Sequence, residues 1–355
     1  IDPQKVPAQM KQKLEHCGIV LKDYNEISNF LKSFNKKDKI LIDSSSTSIG
    51  LFQLLPQEAV IQGQNYVLLK KAIKNPTEIE HIRKVMVKDG VALIRLFRWL
   101  DAELEKRPVT EVEIAEKLIE YRSAQKYYYG ESFSAIVGYK GNGAIVHYRP
   151  KAGSCAQVKK EGILLLDSGG QYEDGTTDIT RTIALGKPNE EQKRNYTLVL
   201  KGHIALATIQ FPKGTRGMQL DTLARMYLWK DGLNFGHGTG HGVGFFLNVH
   251  EAPQGFATNP STSRGTTSFE AWMFTSNEPG FYKTGEYGIR IENLVLCVEG
   301  VKTDSGEFLK FETLTLFPIA TNLIDKTLLT KQEKEWLNAY HREVFEKLSP
   351  VLETD

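Results

Sequence analysis

Four acidic residues sit where an apolar run meets glycine or a polar turn. In Leu164-Leu165-Leu166-Asp167-Ser168-Gly169-Gly170 an apolar strand ends in an acid, and Gly175-Thr176-Thr177-Asp178-Ile179-Thr180-Arg181-Thr182 offers a second at the start of a returning strand. A hairpin brings Asp167 and Asp178 together across eleven positions of sequence. Close carboxylates repel, so a fold that keeps both ionised needs a compensating cation, and a divalent metal ion supplies one. Ordinary turn acids are the alternative, because acids are common at strand ends.

A second pair lies in Asn277-Glu278-Pro279-Gly280-Phe281-Tyr282 and Gly288-Ile289-Arg290-Ile291-Glu292-Asn293. Between them Lys283-Thr284-Gly285-Glu286 has the character of a hairpin turn, with Gly285 midway between the two glutamates. Arg290 and Glu292 are two apart on one expected strand and should face the same side. An arginine there holds a metal-binding carboxylate in one rotamer, or anchors a substrate carbonyl or carboxylate. A surface ion pair is the competing reading.

The segment Gly236-His237-Gly238-Thr239-Gly240-His241-Gly242-Val243-Gly244 carries five glycines in nine residues, a loss of backbone restraint that a simple core strand would not accept. His250 follows in Asn248-Val249-His250-Glu251-Ala252-Pro253, so three of the eight histidines fall within fourteen residues. His147 stands upstream on what reads as a separate strand, while His16, His81, His203 and His341 look incidental. Histidines are often structural, and that alternative stays open for each one alone. Taken together, four carboxylates and one imidazole suit two divalent ions: oxygen-rich coordination favours Mn²⁺, and the imidazole leaves Zn²⁺, Co²⁺ or Fe²⁺ admissible. Two metals roughly 3.5–4 Å apart share a hydroxide, acidify its parent water and stabilise charge on an attacked carbonyl oxygen. No serine or cysteine triad stands out, which leaves water as the nucleophile. A closed structural metal site would not leave surplus histidines beside it.

The elements that must position these groups are legible in outline. Asn75-Pro76-Thr77-Glu78 supplies an N-cap, a proline at the first helical position and an acid at the third, ahead of a long amphipathic run to Leu100. Thr110-Glu111-Val112-Glu113 repeats that capping pattern for a helix to about Lys126, and further helices are predicted from about Asn189 to Ile209 and from Met218 to Trp229. Strands are expected over 135–137, 143–147, 162–171, 178–184, 272–282 and 288–298, close enough in pairs for hairpins. The fold class is therefore α+β with a largely antiparallel sheet, and two strand-rich blocks fit an internal duplication. Ahead of it, Lys39 to Asp43 and Ala59 to Ile61 have strand character and Tyr24 to Phe34 a loosely helical spacing. We expect two domains, residues 1–70 as part of a small α/β domain and residues 71–355 as the main one.

Composition narrows the function classes. With 45 basic and 43 acidic residues in 355, no global charge excess draws the chain to nucleic acid or an anionic membrane. There is no apolar run of roughly 18 residues, the signal of a bilayer-spanning helix. Cys17, Cys155 and Cys297 are isolated in sequence, which argues against a disulfide framework and for a reducing, cytoplasmic setting. The first residue is Ile1, consistent with a processed or partial chain.

In order and spacing, LLLDSGGQYEDGTTDITRT, GHGTGHGVGFFLNVHEAP, SNEPGFY and YGIRIENLVL resemble the pita-bread metallopeptidases, most closely the long cytosolic aminopeptidase P branch. The resemblance covers roughly residues 70–345. It implies a pita-bread catalytic domain behind part of a creatinase-like second domain, the first domain being absent. It implies that Asp167, Asp178, His241, Glu278 and Glu292 are the metal ligands: Asp167 and Asp178 for one ion, His241 and Glu278 for the other, with Asp178 and Glu292 bridging. His250 matches the residue that assists proton movement at the scissile peptide, His147 and His237 the histidines on the proline side of the cleft, Arg290 and Tyr282 substrate-site or supporting positions, and Glu278 a proton shuttle. Two Mn²⁺ ions, a homodimer and removal of the first residue from peptides with proline second are implied as well. Prolidase, which cuts X-Pro dipeptides, shares this metal apparatus. Methionine aminopeptidase is less similar, and non-enzymatic pita-bread binding modules characteristically lose the ligands present here.

Overall fold

In a computed structural model of the chain, residues 1–352 are described, and the chain divides into two compact units, Ile1–Leu69 and Lys70–Asp355. The first unit is built around a short parallel pair, Ile40–Ile42 with Val60–Gln62. Helices Ala8–His16 and Ile27–Lys32 bury no residue. Its buried apolar residues are Ile42, Leu55 and Ala59, while Val20, Phe30, Ile49 and others lie exposed.

The second unit begins with helix α1 (Pro76–Leu104), whose predicted capping box forms: the Asn75 side chain accepts from the Glu78 amide and the Glu78 carboxylate from that of Asn75. Ile79, Ile82, Val85, Met86, Leu93, Leu96 and Leu100 are buried on its inner face. At α2 (Glu111–Ser123) only half of the expected box forms, because Thr110 caps the Glu113 amide while the Glu113 carboxylate pairs with Arg107. Helices α3 (Glu190–Thr208) and α4 (Gly217–Lys230) lie where the spacing placed them, and α5 (Lys331–Leu352) is the last element among the described residues. The central apolar cluster draws Ile82 and Val85 from α1, Tyr196 and Ile204 from α3, and Tyr340 and Val344 from α5 onto the sheets.

Every strand pair in this unit is antiparallel. One sheet has β1 (Ile136–Tyr139), β2 (Ile163–Ser168) and β3 (Ile179–Ala184), with β2 in the middle. A six-stranded sheet is built from β4 (Gln210–Pro212), β5 (Gly240–Gly242), β6 (Glu251–Phe256), β7 (Phe274–Asn277), β10 (Asn293–Thr303) and β11 (Gly306–Thr313), in the order β4-β11-β10-β7-β5-β6. Between its members in sequence lies the separate hairpin of β8 (Gly280–Lys283) and β9 (Tyr287–Arg290).

Three of the expected strands are broken in two, and the one over 162–171 splits at Gly169 into β2 and a separate strand, Gly170–Tyr172, that pairs in another sheet. The runs over 272–282 and 288–298 are interrupted at Glu278-Pro279 and at Ile291-Glu292. Pro279 has no amide hydrogen and cannot continue a ladder. The amides on either side leave the sheet to do other work: Glu278 N–H donates to Thr239 O at 2.8 Å, and Glu292 N–H to Thr180 O at 3.1 Å. The strand expected over 143–147 does not form. In its place is a 3-10 turn, Lys140–Ala144, followed by irregular backbone, and it presses against β9 so closely that a Cβ on Gly288 would lie 1.8 Å from Gly143 O. His147 therefore stands on a loop.

Candidate metal centre

Asp167 lies near the end of β2, opposite both Thr180 and Ile136, and Asp178 lies just ahead of β3, so the hairpin brings both acids to one end of this small sheet. His241 is the middle residue of β5, where a bulge after it shifts the pairing with β6 from Gly255 to Glu251. The glycines around it let backbones close in: a Cβ on Gly240 would lie 1.9 Å from Ser276 O. Glu278 and Glu292 occupy the other two strand breaks. Asp178, His241 and Glu292 offer ligand atoms all within 4.8 Å of one another. His241 Nε2 is 3.5 Å from Asp178 Oδ2 and 3.2 Å from Glu278 Oε1. Asp167, Asp178, His241 and Glu292 are buried, and Glu278 nearly so.

These groups are oriented by neighbours. His241 Nδ1–H donates to Gly242 O at 2.9 Å, which turns Nε2 toward the acids in the tautomer a metal ion requires. Thr180 Oγ1 donates to Glu292 Oε2 at 2.7 Å and accepts from Arg290 Nε at 3.1 Å. Ser276 Oγ donates to Glu278 Oε1 and accepts from the His241 amide, both at 3.0 Å. Arg290 does not pair with Glu292 two residues on, as the expected shared strand suggested; it is buried, and its Nη2 binds Asp167 Oδ2 at 2.6 Å. Arg181, fully inside, donates to Glu292 O at 2.6 Å, Asn293 Oδ1 at 2.8 Å, Phe317 O at 2.6 Å and the Tyr340 hydroxyl at 2.9 Å. No carboxylate pairs with it among the described residues.

The electrostatics ask for added positive charge. Burial, then repulsion from Asp167, pushes the Asp178 carboxyl up to about 7. Burial also raises Glu292 far above the usual carboxylate range, with the charge of Asp178 adding to it. Burial alone would lower His241, but hydrogen bonding to Asp178 and Glu278 outweighs it and lifts the imidazole to about 10. Glu278 is held down at about 2, its burial overcome by His241. Protons thus balance a cluster that carries too many negative charges, and Asp167 Oδ1 is buried with no hydrogen-bond partner. Divalent cations would replace those protons and satisfy that oxygen, so the donor set fits them.

A cleft of about 680 Å³ opens onto this cluster. Of the residues proposed from sequence, His147, Asp167, Asp178, His237, His241, His250, Glu278, Arg290 and Glu292 line it, whereas Tyr282 stands behind the wall. There the Tyr282 hydroxyl receives Arg290 Nη1 at 2.6 Å and meets His237 Nε2 at 2.8 Å, and His237 Nδ1 is 2.8 Å from Gly238 O. Burial lowers His237, which keeps the ring neutral. His250 is exposed, its ring centroid 3.9 Å from that of His241; partial burial and then the charge on His241 bring it down to about 4. Of the histidines set aside, His203 is fully buried and held down at about 3 by burial.

Sequence reasoning missed several groups. Thr180 and Ser276 each stand two residues from a candidate ligand, so a period-two reading of one strand face would have found them. Arg149 and Arg264 also line the cleft, from segments without strand or helical periodicity that gave no signal.

No helix among the described residues is long and apolar enough to cross a membrane. The sequence matches metallopeptidase family M24 over residues 80–299, the C-terminal region of that peptidase family over 307–355, and the creatinase/prolidase N-terminal domain over 1–78. It is 44% identical to the probable Xaa-Pro aminopeptidase P of Laccaria bicolor, across 100% of this chain and 56% of that protein. The figures for the Arthroderma gypseum relative of the same description are 42%, 100% and 58%. The chain thus spans a little over half the length of these curated relatives. Among solved structures it resembles the X-prolyl aminopeptidase of Caenorhabditis elegans, described as a cytosolic enzyme with a di-nuclear active site, at TM-score 0.93 and 36% identity over 100% of this chain and 58% of that one. The prolidase of Pyrococcus furiosus is more distant, at TM-score 0.65 and 25% identity over 84% and 81%. A match that takes in both acid-bearing hairpins and the histidine block, on an α+β pita-bread frame, places this chain in metallopeptidase family M24.

Proposed function

We propose that this chain catalyses metal-dependent hydrolysis of the N-terminal X-Pro bond, releasing the first residue from peptides with proline second. The observation that carries the reading is the buried set of four carboxylates gathered beside His241, in which Arg290 pairs with Asp167 and protons balance the rest. Asp167, Asp178, His241, Glu278 and Glu292 would hold two divalent ions, Mn²⁺ first and Zn²⁺ or Co²⁺ as alternatives. When bound, such a pair supplies a water acidic enough to ionise near neutral pH and positive charge for the attacked carbonyl.

The chain's own residues then divide the remaining work. Glu278 Oε1 is engaged by Ser276 and faces His241, which leaves Oε2 to take a proton from the attacking water and pass it to the leaving nitrogen. His250, neutral and open to the cleft, donates a hydrogen bond at the scissile peptide. His237 has both ring nitrogens occupied, by Gly238 O and the Tyr282 hydroxyl, so it offers substrate only the face of its ring. That suits proline, whose nitrogen in a peptide bond carries no hydrogen to donate and whose ring must be read by shape. Arg290 ties this wall to Asp167, so the proline side and the proposed metal side are one rigid assembly.

Residues 1–70 are assigned as the end of a creatinase-like second domain and 71–355 as the catalytic domain; the match of residues 1–78 to the creatinase/prolidase N-terminal domain supports this. A cytoplasmic location is supported by the cytosolic Caenorhabditis relative. A homodimer is implied by the family resemblance and is checked by sedimentation velocity. The activity is tested with an Arg-Pro-Pro-type peptide after chelation and again after manganese addition. Release of the first residue alone, restored by the metal, supports the proposal; cleavage confined to X-Pro dipeptides would make it a prolidase.

A further inference from the structure

Packing does not fix His147. The residue is exposed, and from Ile145 to Ala156 the backbone has neither helix nor strand. A loop of that kind would let the imidazole wander over several ångströms, which is incompatible with a defined wall of a binding cleft.

What holds the loop is a single buried carboxylate. Glu111, the first residue of α2, is 0% exposed and has no cationic partner among the described residues. Its Oε1 accepts from the Tyr139 amide at 2.8 Å, its Oε2 from the Tyr148 hydroxyl and the Ala156 amide at 2.8 Å each, and Asn142 Nδ2 bridges both oxygens at 3.0 and 3.1 Å. Tyr139 ends β1 and Asn142 lies in the turn just before the loop, Tyr148 directly follows His147, and Ala156 ends the loop. The Glu111 amide also donates to Ala156 O at 3.2 Å, and Asn142 Nδ2 lies 3.0 Å from the Tyr148 hydroxyl, so the fastening is mutual. A desolvated carboxylate is costly unless its lone pairs are filled, and here they are filled by the segment that carries His147. The start of α2 contributes a favourable dipole. On the other side of His147, Arg290 Nη2 makes a long contact of 3.5 Å with Val146 O while binding Asp167. Both neighbours of the imidazole are thus tied to buried charged groups, one of which belongs to the acid cluster.

We infer that Glu111 and Tyr148 are positioning residues for His147: they set where its ring stands in the cleft and thereby how tightly a proline-containing peptide is held. The inference rests on the X-Pro aminopeptidase reading above for its substrate, though not for the anchoring. Tyr148→Phe removes one donor and keeps the ring; Glu111→Gln keeps the size and turns one acceptor into a donor facing other donors. With manganese loaded and metal content unchanged, Tyr148→Phe is expected to raise KM for an X-Pro tripeptide about tenfold and to leave kcat within about twofold, with Glu111→Gln larger. In a His147→Ala background the Tyr148→Phe change should add nothing further to KM, because the residue acts through that imidazole. Additive effects in the double variant, or an unchanged KM in both single variants, overturn the inference. Hydrogen exchange over residues 145–150 reads the anchoring without activity: faster exchange in Glu111→Gln supports it, and unchanged protection overturns it. A parent protein that cleaves no such peptide would defeat the functional reading and leave the exchange measurement to decide the anchoring.

Discussion

The two sides of the cleft are built differently. The acid side sits on paired strands and their breaks, with Asp167 between two partners and Glu278 and Glu292 each donating a backbone amide hydrogen bond to a neighbouring segment. The histidine side is carried by loops, with His147 and His250 exposed. Groups that must share an ion need fixed separations of a few ångströms, which a sheet provides. Groups that must meet substrates of varied sequence can stand on loops, so long as buried polar anchors limit their range.

The largest effect is expected on the acid side. His241→Ala should lower metal-dependent turnover by roughly a thousandfold or more, and mass spectrometry under native conditions should show fewer than two ions per chain. Retained rate at full occupancy would mean that the sheet-borne cluster is not the reaction centre. Arg290→Lys keeps the charge but cannot reach Asp167, Tyr282 and Thr180 together; metal affinity measured by competition with a chelator should weaken about 10–100-fold.

Acidity offers a subtler separation of the two sides. Asp178 is raised to about 7 in the folded, metal-free protein, so the folded state holds a proton that the unfolded state has lost above about 4. The stability associated with that proton is present at low pH and is lost as pH rises through about 7. His241, raised to about 10, behaves likewise, its contribution complete below about 6.5 and lost through about 10. Metal binding displaces these protons, so the gap in Tm between manganese-loaded and chelated protein should widen as pH rises from 5 to 8. A gap independent of pH would show that protons and metal do not compete for these groups. The smallest effect belongs to the histidine side. Tyr282→Phe frees one nitrogen of His237 and should raise KM several-fold, on the order of 1 kcal/mol, with kcat and metal content nearly unchanged; a collapse of kcat would place Tyr282 on the acid side instead.

Much of this was legible in the sequence, and the exceptions share a cause. The helix beginning at Pro76, the α+β class and the pairing of Asp167 with Asp178 follow from local periodicity and capping, which act over a few residues. The failed strand over 143–147 and the breaks at Glu278 and Glu292 do not, because they arise where backbone bonds are diverted to distant partners such as Thr239 and Thr180. Arg290 shows the same limit: its spacing from Glu292 pointed to one carboxylate, and the fold delivers it to Asp167, 123 positions away. Glu111 read from sequence as an unremarkable first-turn helix acid, since nothing local reveals which loop will return to fill its lone pairs.

Arg181 carries its charge into the interior and leans on the tail of the chain, where the Tyr340 hydroxyl and Phe317 carbonyl share the guanidinium with the backbone of Glu292. A product of digestion or of an early stop codon that ended before Tyr340 would admit water beside that guanidinium and slacken the backbone at Glu292. Such a product is expected to keep most of its helices by circular dichroism and to fail at retaining ions through gel filtration. Damage near the far end of the chain would then read, in an assay, as a lesion at the candidate metal centre.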